Sequence, residues 1–247
     1  MNRLKFLLPL LAASMLLAGC GGSGGASSNN ESPSAIAIPK FVDTRGEETK
    51  TVTFTDLNGD TVQYNQNTRK IVCTFGSQDV VAFGISLLAY EGTTDITGYE
   101  SFYGDAEALV HTSPIEPEEI MSFEPELILV NDGMSLSNIK ALRKFAPVIP
   151  LHTSTDDFSL RMNYIGEIFG LQESATKLTQ YASELKTAML GKISSLGVMD
   201  KTLTIFTYYG NGVSIPPQRG WFMNTIIYEY IGMKRLRIVE DFMTDES

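Results

Sequence analysis

The sequence predicts an α/β fold of two lobes, each built on a parallel sheet flanked by helices. Three observations carry this. Short apolar runs alternate with helix-patterned segments from residue 70 to 151. One of those runs, Leu127-Ile128-Leu129-Val130, is continuously apolar, as a strand buried on both faces must be. A long amphipathic stretch at 173–196 then separates this pattern from a second strand-and-helix pattern beginning near Lys201.

In chain order, residues 51–64 alternate apolar and polar around Asn58-Gly59, a hairpin signal, because both turn residues tolerate positive φ. A strand at 70–75 leads through Gly76-Ser77-Gln78 into an expected helix at 79–90, with Val80, Val81, Phe83 and Leu87 spaced for burial. A second strand is expected at 96–99. A short helix at 117–123 has Pro117 in its first turn. A helix at 135–145 and a strand at 148–151 follow. Residues 158–169 read as a helix that Gly170 can close. The 173–196 helix, with Leu178, Tyr181, Leu185, Ala188 and Ile193 near helical spacing, reads as a rigid connector. Beyond it lie an expected strand at 202–208, a Gly- and Pro-rich loop at 210–220 and a helix at 221–231. The stretch after 201 is short for a sheet of the first lobe's size, so the C-terminal lobe is read as truncated.

The first twenty residues set the compartment. Arg3 and Lys5 precede an apolar segment at 6–18, which is shorter than the roughly 20 residues of a membrane span. It ends in Leu17-Ala18-Gly19-Cys20, which resembles a bacterial lipobox. That resemblance implies cleavage before Cys20 and its lipidation. Two palmitate-class acyl chains hold a protein stably where one is marginal. Residues 21–34 are rich in Gly, Ser and Asn and cannot bury a core, so they read as a flexible tether. The expected organisation is a leader at 1–20, a tether at 21–47, an N-terminal lobe at 48–155, connecting helices at 156–198 and a partial second lobe at 199–247. The protein is expected to sit outside the cytoplasm, anchored to the cell membrane.

Composition excludes other classes. The formal net charge is −10, which disfavours a nucleic-acid backbone as partner. The two cysteines, Cys20 and Cys73, are too few for a disulfide scaffold or a cysteine zinc site, and Cys73 in an apolar run reads as a buried small hydrophobe. The two histidines, His111 and His152, lie far apart and fall short of a three- or four-ligand metal site. There is no Gly-x-Ser-x-Gly elbow, no His-Glu-x-x-His and no P-loop, and the adjacent Glu116, Glu118 and Glu119 suit a helix N-terminus better than acid/base work. An enzyme is not expected.

Four segments in order resemble the solute-binding proteins of iron–siderophore and vitamin B12 ABC importers. Arg69-Lys70-Ile71-Val72 is similar to that family's first-strand entry. The DVVAFG run at 79–84 is similar to its next helix. IMSFEPELILV at 120–130 is similar to its I-x-x-L-K-P-D-L-I-I segment, with Glu126 for the usual Asp. APVIPL at 146–151 is similar to the strand that follows, while Thr68 stands where proline is usual. The resemblance spans roughly 48–240. It implies a periplasmic-binding-protein-like fold of the helix-linked class, two lobes enclosing a ligand, and no catalysis or cofactor. The implied ligand is a ferric siderophore, with cobalamin or haem as alternatives, and the implied partner is an ABC permease served by a monomeric receptor.

The same resemblance directs attention to loops after the strands, beginning at Gly76, Tyr99, Asn131 and His152. Pocket candidates there and in the second lobe are Gln78, Tyr99, Phe102, Tyr103, Asn131, Tyr208, Tyr209, Arg219 and the single tryptophan, Trp221. Tyr and Trp offer an apolar face and a polar edge, and Arg219 a cationic fork for an acidic donor. Family members present one surface glutamate per lobe to the permease; the positions reached are Glu107 and Glu240.

Overall fold

The structure is a computed structural model that describes residues 41–92, 100–110, 115–155, 157–204, 207–209, 212–214, 228 and 231–235. At its centre is a five-stranded parallel sheet in the order β5-β4-β3-β6-β7. The strands are β3 (Ile71–Cys73), β4 (Ala89–Glu91), β5 (Glu107–Leu109), β6 (Leu127–Asn131) and β7 (Val148–Leu151). The register runs Ile71 to Leu127 and Ile128 to Val148 across the middle.

Period-two alternation splits each central strand between two cores. Ile71, Cys73, Leu127, Leu129, Ile149 and Leu151 face one layer, where α1 (Ser77–Val81) with the turn after it, α5 (Phe158–Phe169) and the β1–β2 hairpin supply Val80, Phe83, Ile165, Ile168, Val62 and Tyr64. Val72, Ile128, Val130 and Val148 face the other, closed by Ile120 of α3 (Pro117–Ser122) and Ile139 and Leu142 of α4 (Leu136–Leu142). Both faces are thus covered, which is why β6 shows no polar alternation. Each fully buried Leu or Ile contributes about 1.5–3 kcal/mol.

The hairpin forms where the alternation predicts it, β1 (Thr51–Thr55) against β2 (Thr61–Asn65). The turn is longer than a two-residue connection: Thr55 pairs with Thr61, and Asp56 closes the loop by accepting from the backbone N–H of Asn58 and Asp60, each at 2.9 Å. Gly59 supplies the left-handed φ of 79°. Arg143 clamps the loop from the α4–β7 turn, reaching Asp56 at 2.5 Å and Asp60 at 2.6 Å.

The helix expected at 79–90 is a correction. α1 ends at Val81, and the chain turns at Gly84 and becomes β4 at Ala89. The apolar spacing there is that of a short helix followed by a buried strand, two patterns that periodicity alone does not separate. Gly84 has φ 76°, and a Cβ on it would lie 2.8 Å from the Phe41 carbonyl oxygen and 2.8 Å from the Val42 Cα. Gly84→Ala is expected to destabilise the fold by about 2 kcal/mol or more, from the left-handed conformation and the backbone collision together. A denaturant melt with unchanged midpoint would contradict this.

That collision shows that residues 41–45, placed in the tether by sequence, lie on the folded body. Phe41 packs against the core, and Arg45 is buried. The Arg45 guanidinium pairs with Asp43 at 2.7 Å, donates to the carbonyls of Gln66 and Thr68 at 3.1 and 3.0 Å, and stacks 4.7 Å from the centre of the Phe169 ring. Asp43 also pairs with Arg69.

α5 matches its expected bounds, capped by the Asp157 side chain on Leu160 N–H and ended by Gly170 at φ 68°. It packs into the sheet's core rather than standing apart, and so do Ala175 and Leu178 of α6 (Gln172–Ser195). Beyond Leu178 no α6 residue is buried. Past α6, β8 (Thr202–Leu203) pairs in parallel with β11 (Lys234–Arg235), and β9 (Thr207–Tyr209) pairs antiparallel with β10 (Gly212–Ser214). The strand expected at 202–208 is therefore two strands with different partners, and the loop expected at 210–220 contains β10. The strand expected at 96–99 lies outside the described residues, and so does the helix at 221–231 except at 228 and 231.

Candidate functional site

In an open parallel sheet, ligands lie beyond the carboxyl ends of the strands, where the strand order reverses. Here the chain leaves β3 toward β4 on one side and leaves β6 toward β7 on the other, so the reversal falls between β3 and β6. The loops beginning at Phe75 and Asn131 flank that point, and the loops after β4 and β7 border it.

This edge is cross-braced by three carboxylates. Glu91, at the end of β4, is 3% exposed, and its Oε1 accepts from the backbone N–H of Gly76 and Ser77 at 3.0 and 3.1 Å. It thereby does for α1 what a side-chain cap would do, since Gly76 has none. Its Oε2 is buried with no hydrogen-bond partner. Asp132, just after β6, accepts from the N–H and hydroxyl of Thr153 at 3.3 and 2.7 Å and from those of Ser154 at 3.2 and 2.6 Å. Burial pushes the Asp132 carboxyl up, but these four bonds outweigh it and hold the group below its ordinary value. Asp79 of α1 takes Arg161 of α5 at 2.6 Å, and Arg161 also donates to the Thr155 carbonyl at 3.0 Å. The ties run unbroken from β4 through α1 and α5 to the loops after β7 and β6.

On this frame stand apolar side chains that the fold leaves open to solvent. Phe75 follows β3 and is 47% exposed; Phe102, on α2 (Glu100–Tyr103), is 53% exposed. Leu136 opens α4 and Leu160 lies in the first turn of α5, both exposed. α2 is held over the same edge because the Tyr103 hydroxyl lies 2.9 Å from Ser77 Oγ and its ring 4.5 Å from that of Tyr90.

Of the sequence-derived candidates, the structure brings Gln78, Phe102, Tyr103 and Asn131 to this edge. Gln78 and Phe102 are exposed, Asn131 is half-buried and Tyr103 is buried, its hydroxyl raised in pKa chiefly by burial and spent on Ser77. Tyr103 therefore supports the site from beneath. Tyr208 and Tyr209 lie on β9, paired with β10. Cys20, Tyr99, His111, Arg219, Trp221 and Glu240 lie outside the described residues. Glu107 is exposed on the edge strand β5, at its amino end. Cys73 is fully buried, with burial pushing its thiol pKa well up, so it packs as a small hydrophobe. His152 rests edge-on against Tyr164 at 4.8 Å, and among the described residues no group of three or more metal-ligating side chains converges. Sequence reading passed over Phe75, Glu91, Asp132 and Leu136; Glu91 is the last residue of β4 and the others sit within five residues after a strand, which is the signal that could have found them.

Neither a family model nor a curated protein sequence matches this chain. Solved structures do. Unliganded FhuD2 from Staphylococcus aureus superposes with a TM-score of 0.61 at 16% identity, covering 79% of this chain and 70% of its own. Staphylococcus aureus SirA, solved with staphyloferrin B, gives 0.64 at 16% over 80% and 68%. The iron-uptake system-binding protein FeuA of Bacillus subtilis gives 0.62 at 16% over 76% and 69%. The chain shares the fold of these three proteins. The expected α/β class is borne out, and FeuA among these structures is described as a binding protein. Among the described residues no helix is long and apolar enough to cross a membrane.

Proposed function

We propose that this chain is an extracytoplasmic receptor of an ABC importer, anchored through Cys20, that binds a ferric siderophore and delivers it to the permease. The observation that carries the reading is the coincidence of the siderophore-receptor fold with a carboxyl edge that is rigidly braced yet leaves Phe75, Phe102, Leu136 and Leu160 exposed. Concave sites for bulky ligands are mostly apolar with a few oriented polar groups, and Gln78 and Asn131 supply such groups here. Tyr99, Tyr208, Tyr209, Arg219 and Trp221 would complete the pocket, and Glu107 and Glu240 would meet arginines of the permease. No bond of the ligand is made or broken.

The test is a titration of intrinsic fluorescence with a ferric hydroxamate, a ferric catecholate, haem and cobalamin. Saturable quenching by a ferric siderophore with a single-site isotherm is expected. Flat titrations with all four, in protein shown to be folded, would reject the receptor reading.

A further inference from the structure

The β1–β2 hairpin leaves a strand edge unanswered. In an antiparallel pair, backbone N–H and C=O groups point alternately toward the partner and away from it. Asp56 N–H donates to the Asp60 carbonyl at 2.9 Å and Gln66 N–H to that of Lys50 at 2.8 Å, so in the observed register Val62 and Tyr64 are the positions of β2 bonded to β1. The backbone groups of Thr61 and Gln63 therefore point outward, and among the described residues they have no hydrogen-bond partner. β2 carries none of the devices that blunt a free edge: no Lys, no Pro and no bulge interrupts Thr61–Asn65. Beside this edge lies an open groove of about 350 Å³, lined by Thr61, Val62 and Gln63 on one side and by residues 143–147 on the other. Its apolar wall is the exposed Phe145 with the half-buried Pro147. Arg143 is committed to Asp56 and Asp60, but the exposed Lys144 forms no ion pair among the described residues, and neither does Lys140 in the last turn of α4. Residues 143–147 lead into β7, so the groove stands at the amino edge of the sheet, the opposite end from the loops described above.

We propose that the edge of β2 is a docking site for an extended, acidic segment of a partner polypeptide, which adds to the hairpin as a third strand. An extended backbone, about 4.8 Å away, offers donors and acceptors at the spacing that answers Thr61 and Gln63 in turn. Side chains alternate along such a strand, so one set lies against Phe145 and Pro147 while the other carries carboxylates to Lys144. Charge sets the choice of partner. A second copy pairing edge to edge would bring two Lys144 ammonium groups into one groove, and that repulsion disfavours self-association. The chain's net charge of −10 also acts on an acidic segment, but beyond about 8 Å it is screened at physiological salt, and the cations beside the groove decide.

Two fluorescein-labelled peptides of about six residues, the length of an ordinary strand, test this by anisotropy against the whole chain. One alternates valine and glutamate, the other valine and lysine. The glutamate peptide should bind saturably and about tenfold more tightly than the lysine peptide, with the gap closing in high salt. Gln63→Pro removes an outward N–H that the hairpin ladder does not use, and should weaken the glutamate peptide by about tenfold or more. Lys144→Glu, at an exposed side chain, should reverse the preference between the two peptides, and it carries the test if the proline variant does not fold. Absence of binding, equal binding of the two peptides, or an affinity that neither folded variant changes would overturn the inference. So would a concentration-dependent dimer in sedimentation that Gln63→Pro dissociates, because the edge would then belong to a second copy. None of these outcomes bears on chelate binding at the carboxyl edge.

Discussion

Replacing Arg45 by methionine should lower the unfolding free energy by about 3–5 kcal/mol. Methionine fills much of the same space, so the loss is polar. The carbonyls of Gln66 and Thr68 lose their guanidinium donor, and an orphaned buried acceptor costs about 1–3 kcal/mol. Asp43 keeps Arg69 but loses its bidentate partner, and the Phe169 ring loses the cation stacked on it. Burial pulls the Arg45 guanidinium down to about 10, which still leaves it charged at neutral pH, so the interaction is intact under ordinary conditions. Urea unfolding should show a lower midpoint with an unchanged slope. Arg69→Met, at a side chain 43% exposed, is the control and should cost less than about 1 kcal/mol. Equal effects at the two positions would show that the segment at 41–45 is not held by the buried guanidinium.

The importance of Arg45 was invisible in the sequence, and the reason is physical. It lies in a polar stretch, Asp43-Thr44-Arg45-Gly46, with no periodicity, and its partners are backbone carbonyls more than twenty residues away. Helices and strands that depend on local pattern were legible: α5 came out at its expected bounds because Asp157 and Gly170 cap a clean apolar stripe, and β6 because both its faces are buried. Where one apolar run served two elements, as at 79–91, pattern failed and the left-handed Gly84 decided. β5, with two exposed residues of three, carries no burial signal at all.

The site divides in the same way. Aromatic candidates after predicted strands, such as Phe102, were readable from residue type and position. The bracing carboxylates were not, because a lone Glu or Asp at or just past a strand end looks solvated until the partner loop is placed. Glu91 reaches back fifteen positions to Gly76, and Asp132 forward twenty-two to Ser154. Only the parallel topology brings those loops side by side. The frame they form also explains why the edge can expose Phe75 and Phe102 without the loops collapsing around them: the backbone donors that would otherwise seek new partners are already satisfied.

Truncating Phe75 and Phe102 together to alanine should therefore weaken ferric chelate binding by about 100-fold or more and leave the fold intact. Aromatic anchors at the centre of a binding surface commonly contribute about 2 kcal/mol or more each; Phe75 borders the point where strand order reverses, and Phe102 lies on α2, past the neighbouring strand β4. Neither ring belongs to a core cluster, so thermal stability should stay within about 0.5 kcal/mol of the parent. Phe145 offers the matched comparison. It is 48% exposed, close to the other two, but it precedes β7 and so stands at the amino edge of the sheet. If Phe145→Ala weakens binding as much as the double variant does, the ligand does not sit at the carboxyl edge. If only the double variant does, the location of the site follows from sheet polarity, since the three rings are alike in chemistry and exposure and differ in the end of the strands they occupy.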